Sequence, residues 1–115
     1  MTNRANIGGA AALLCVALAA AAAAVAQPPV DGKAVFEKWC APCHGDGPGK
    51  PGTNALQALY EGAKPAMLEK RTDLPPELTK QFVRTGVSVM PFFRKTGISD
   101  AELDALANYL AHKTR

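Results

Sequence analysis

The chain has 115 residues, a formal net charge of +3 and three cysteines. This is the size of one small domain, with too few cysteines for a disulfide framework. The small positive balance gives no footing for a nucleic-acid binder.

Residues 1–26 differ in kind from the rest. Arg4 precedes an uncharged, alanine-rich run over residues 7–25 that ends in Ala24-Val25-Ala26, the pattern of a signal peptide cut before Gln27. The alternative is an uncleaved anchor, since the run approaches the ~20 apolar residues a bilayer requires; alanine is weakly apolar, which favours cleavage. Leu14 stands where a lipid-attachment signal at Cys15 needs a small residue. The expectation is an exported, periplasmic protein with no membrane attachment after cleavage and one domain over residues 27–115. Cleavage removes Cys15 and, of the charged residues, only Arg4.

Gln27-Pro28-Pro29 reads as an extended lead-in. Asp31 then caps a helix whose apolar positions are Val35, Phe36, Trp39 and Cys40. Residues 45–53, rich in glycine and proline, predict a loop. Short helical pieces are expected over residues 55–60 and 65–70, separated at Gly62. A helix over residues 76–85 stops at Gly86, where a left-handed residue is needed. Residues 87–98 predict a long loop held by something other than its own secondary structure. Ser99-Asp100-Ala101-Glu102 is a capping box that starts a last helix, with Leu103, Leu106, Ala107 and Leu110 on one face. No segment alternates as a strand does, so the fold class is all-α.

Cys40-Ala41-Pro42-Cys43-His44 matches the C-x-x-C-H signature of covalent haem attachment. Two thiols about a turn apart can add to the two vinyl groups of one haem, while His44 presents its imidazole to the iron from the same face. A covalent macrocycle also supplies the staple that a domain this small usually needs. A thiol-disulfide pair is the first alternative, but it expects a βαβ context that the sequence lacks. Zinc is the second, and would need Cys40, Cys43, His44 and the distant His112 around one tetrahedral ion.

For the second axial position the candidates are Met67, Met90 and His112. Met67 lies in a stretch read as helical, where methionine is more often core filling. His112 falls on the solvated face of the last helix. Met90 sits in a loop and is followed by Pro91, which stiffens the backbone, and it is the choice. With His44 and Met90 bound, iron has no open position and the thioether favours the ferrous state, so the expected task is electron transfer rather than catalysis. Leu56, Leu59, Leu68, Phe82, Val83, Val87, Phe92, Phe93, Leu103 and Leu106 are read as pocket walls and helix contacts. Arg71, Arg84, Arg94 and Lys95 are read mainly as solvated charges.

Gly32 and Phe36 ahead of the attachment motif, Met90-Pro91, and Leu103-x-x-Leu106-Ala107-x-Tyr109-Leu110 resemble the class I cytochrome c pattern. That resemblance implies crossing N- and C-terminal helices with Gly32 against Tyr109. Gly52-Thr53-x-Ala55-Leu56, Arg71-Thr72-Asp73-Leu74 and the run from Phe82-Val83-Arg84 through Met90-Pro91-Phe92-Phe93-Arg94-Lys95-Thr96 resemble the cytochrome subunit of 4-alkylphenol hydroxylases of the p-cresol methylhydroxylase and eugenol hydroxylase type. The likeness implies one covalent haem c and a partner flavoprotein whose FAD oxidises the phenol. It also implies a downstream acceptor such as a copper protein or another cytochrome. Two positions depart from that pattern, Asn54 in place of proline and Pro75-Pro76 in place of Thr-Pro; a backbone carbonyl near Asn54 is expected to accept a hydrogen bond from His44. The alternatives are a free periplasmic shuttle between respiratory complexes and a haem enzyme or gas sensor. The second lacks a distal histidine or other acid-base group.

Overall fold

Asp31 opens the first helix as expected: its backbone is extended and its carboxylate accepts the Lys33 amide at 2.9 Å. The structure, a computed structural model, describes residues 1 and 26–113. The signal-peptide reading falls on residues 2–25, outside the described residues.

Three helical pieces follow one another without a break. The α1 helix, Gly32–Val35, passes into a π-helical segment, Phe36–Cys40, and then into α2, Ala41–His44. The π segment closes with the Ala41 amide on the Phe36 carbonyl. Its extra residue turns everything after it by about 100° relative to the α-helical register set by Val35 and Phe36.

The α3 helix runs over Pro51–Tyr60, starting four residues earlier than composition suggested. Pro51 at the first turn explains the difference, because its fixed φ suits a helix start and its missing amide would have had no helical partner there. The segment 65–70 is less helical than expected. Only Leu68–Lys70 forms a 3-10 turn, and Met67 before it is extended at φ −71°, ψ 123°.

The α4 helix, Pro76–Thr85, ends at Gly86 with φ 69°, a value glycine adopts without a Cβ penalty. Residues 87–98 begin with a tight turn in which Val87 and Met90 exchange both backbone hydrogen bonds, at 3.1 and 2.9 Å. The α5 helix, Asp100–Lys113, starts at the capping box: Glu102 accepts the Ser99 amide at 2.8 Å and the Ser99 hydroxyl accepts the Glu102 amide at 3.2 Å.

The fold is all-α; among the described residues there is no strand, and no helix is long and apolar enough to cross a membrane. Leu103, Leu106 and Leu110 of α5 pack with Val35 and Phe36 of α1 and the π segment and with Val83 of α4, around a fully buried Ile98. The α1–α5 crossing is close. A Cβ on Gly32 would lie 2.1 Å from the Ala105 carbonyl oxygen and 2.7 Å from the Tyr109 Cβ. Phe36 and Tyr109 stack at a tilt beside it, ring centroids 6.1 Å apart. The N- and C-terminal helices thus cross as the class I pattern implies.

Candidate functional site

Cys40, His44 and Met90 line one open cleft with a cavity volume of about 250 Å³. Its walls are built from α3, α4, α5 and the segment between α3 and α4, and are mostly aliphatic: Leu56, Leu68, Leu74, Leu78, Val83 and Leu106 among them. Met67, by contrast, lines a separate polar pocket with Asp46, Gln57 and Lys70. His112 is exposed on the last turn of α5.

Cys40 is half-buried and Cys43 exposed, and no disulfide joins them. Burial, and secondarily Cys43, pushes the Cys40 thiol up to about 12. A thiol-disulfide pair needs the opposite, a thiolate made accessible near neutrality, and the strand it expects is missing among the described residues. No group of three or more His, Cys, Asp or Glu is placed to hold a metal ion among the described residues, so the four-ligand zinc reading lacks its geometry.

His44 ends α2 and lies against α3. A Cβ on Gly52 would stand 2.6 Å from His44 Cε1 and 2.8 Å from Nδ1, so the glycine leaves the space that the imidazole fills. Burial lowers the pKa of the ring and favours the neutral form that ligates metals. Its buried Nδ1 has no hydrogen-bond partner. The expected carbonyl near Asn54 is not its partner: residue 54 is inside α3, where carbonyls serve the amides of the helix itself. Thr53, one residue earlier, donates instead to the Gly45 carbonyl at 2.9 Å and ties α3 to the end of α2.

These residues fit a covalently bound haem. A cleft that is apolar and open along one side suits a large flat ring whose edge reaches the surface. Cys40 lines it, the exposed Cys43 lies three residues on in α2, and a neutral imidazole is cradled by a glycine without a partner for Nδ1. Cys40, His44 and Met90 meet in this cleft, and Cys43 does not line it.

Other residues differ from the sequence reading. Phe92 is exposed and does not line the cleft, whereas Phe93, edge-on to Trp39 at 5.9 Å, and Leu103, in the core, make helix contacts as expected. Arg71 is buried, 5 % exposed, and forms part of the cleft wall rather than a solvated surface. Its guanidinium donates to Asp73 Oδ2 at 2.8 Å and to the Tyr60 hydroxyl at 2.6 Å. Tyr60 and Thr79, the other polar wall residues, were missed; the Arg71-x-Asp73 spacing is the signal that could have located this cluster.

A helical domain with a C-x-x-C-H motif whose imidazole enters an apolar cleft has the make-up of a single-haem electron-transfer protein of the c type. Residues 27–110 match the family described as cytochrome C oxidase, cbb3-type, subunit III, and the chain belongs to that family. Its cofactor is accordingly covalently bound haem c. No curated protein and no solved structure matches the chain.

Proposed function

We propose that Cys40 and Cys43 attach the haem, that His44 and Met90 are its axial ligands, and that the protein is an exported electron carrier cleaved before Gln27. The observation that carries this is the meeting of His44 and Met90 in one apolar cleft, with Met67 and His112 elsewhere. A haem iron with both axial positions filled supplies a one-electron couple without an open coordination position. The chain holds the imidazole against Gly52, presents the thioether from a closed turn, and keeps water from the ring with aliphatic walls.

The electron donor in this reading is an FAD-containing flavoprotein that oxidises 4-alkylphenols. The sequence resemblance over residues 82–96 supports it. So does the apolar surface beside Met90, where Val89 and Phe92 are 93 % and 54 % exposed, a composition more common at docking surfaces than elsewhere. Arg94 and Lys95, both exposed nearby, would act mainly on encounter rate. The family description favours a second reading, a shuttle that delivers electrons to a respiratory oxidase. Mixing the holo-protein anaerobically with a purified flavoprotein of the p-cresol methylhydroxylase type and its phenol separates the two. Rapid haem reduction supports the flavocytochrome reading. No reduction, together with fast oxidation by a cbb3-type oxidase, supports the shuttle.

A further inference from the structure

We propose that Arg84 is the positioning residue that holds Met90 over the cleft, by clamping the far end of the loop that carries it. The inference rests on Met90 being the axial ligand.

Residues 87–98 contain no helix or strand of their own, only a turn at Val87–Met90 and another in which the Gly97 and Ile98 amides donate to the Arg94 carbonyl, so the placement of these turns against the rest of the fold has to come from tertiary bonds. The near end is fixed by close approach at Gly86, where a Cβ would lie 2.7 Å from the Met90 carbonyl oxygen. In the middle, the Phe93 amide donates to the Val83 carbonyl at 2.8 Å. At the far end the Gly97 and Ile98 amides turn back on the Arg94 carbonyl and Ile98 is buried in the core, and one side chain ties this end to α4. Arg84 Nη1 donates to the Phe93 carbonyl at 3.0 Å and to the Ile98 carbonyl at 2.9 Å, and its Nη2 donates to Asp100 Oδ1 at 2.9 Å.

That guanidinium therefore joins α4, both ends of the segment 93–98 and the first turn of α5. Arg84 is only partly exposed, and hydrogen bonds from a charged donor to carbonyls are about twice as strong as neutral ones. A fork of this shape is specific to arginine: a lysine ammonium is a point charge and cannot span the same three acceptors in one plane. Lys95 also reaches Asp100, at 2.7 Å, but it is 73 % exposed and touches no loop carbonyl. The Asp100 arm is thus replaceable and the carbonyl arms are not.

The test uses the ferric holo-protein and two readouts, the weak sulfur-to-iron charge-transfer band at the red end of the spectrum and the affinity for imidazole added as a competing ligand. Imidazole binds only when the Met90 loop opens, so its affinity reports the closing equilibrium. Arg84→Met should bind imidazole about tenfold more tightly than the wild type or better, the factor equivalent to ~1.4 kcal/mol. It should keep covalent haem and lose part of the band at neutral pH. Arg84→Lys should fall between the two and serves as the readout if Arg84→Met fails to accumulate. Asp100→Asn should stay within about twofold of wild type. Unchanged imidazole affinity in Arg84→Lys and Arg84→Met, with the band intact, overturns the proposal. Met90→Ala is measured alongside. If it keeps the wild-type band, the assignment of Met90 fails; if it loses the band while the Arg84 variants match wild type, only the role of Arg84 fails.

Discussion

The imidazole of His44 occupies the space that a side chain at Gly52 would fill, with three ring atoms within 2.9 Å of the Cβ that the glycine lacks. Two effects oppose each other in Gly52→Ala. Alanine gains at most the ~1 kcal/mol of an interior helix position over glycine, and less at the second residue of α3, whereas overpacking typically costs ~1–3 kcal/mol. Overpacking should prevail, because α3 is tied to α2 through Thr53 and Gly45 and cannot easily withdraw. The variant should yield less haem-loaded protein and a shifted haem spectrum, measured as haem per chain and by absorbance of the purified product.

Met90→Ala should leave haem attached and open the second axial position, since neither thiol nor His44 depends on the loop. The ferric charge-transfer band should disappear. Met67→Ala should keep it, because Met67 faces a different pocket; the reverse pattern would make Met67 the ligand.

Much of this was legible locally. The Asp31 cap, the Ser99/Glu102 box and the stop at Gly86 are each written in a few adjacent residues, and all three are realised. The C-x-x-C-H motif is likewise read from five adjacent residues. What escaped depends on residues far apart in sequence. Helix α3 was delayed to residue 55 because Gly52 looks like a breaker until His44 is packed on it. Arg71 was read as solvated because nothing adjacent reveals that Tyr60 and Asp73 share its burial. The π segment at Phe36–Cys40 has no compositional mark at all.

Gly32→Ala should destabilise the protein by about 3 kcal/mol. The Ala105 carbonyl in its path belongs to the α5 backbone, so relief requires the helices to separate. Equilibrium unfolding in guanidinium should show a lower midpoint with an unchanged slope, and a midpoint within error of wild type would contradict the close crossing.

Asp73 links stability to acid. The Arg71 guanidinium, followed by Lys64, lowers its pKa to about 2. The folded value lies below the unfolded one of about 3.9. The stabilisation is therefore complete above about pH 4 and is lost as the pH falls toward 2. Because Asp73 is 47 % exposed, solvent screening keeps the effect small. Asp73→Asn should flatten this limb of a stability-against-pH curve and leave the curve above pH 5 parallel to that of wild type.

The central claim is a haem c joined to the chain through Cys40 and Cys43, and peptide mass mapping of the purified holo-protein tests it most directly. The expected result is one haem mass on the peptide that carries both cysteines, resistant to acid-acetone extraction and absent from Cys40→Ala/Cys43→Ala. Free thiols at both positions with haem that extracts into acid acetone would contradict the account.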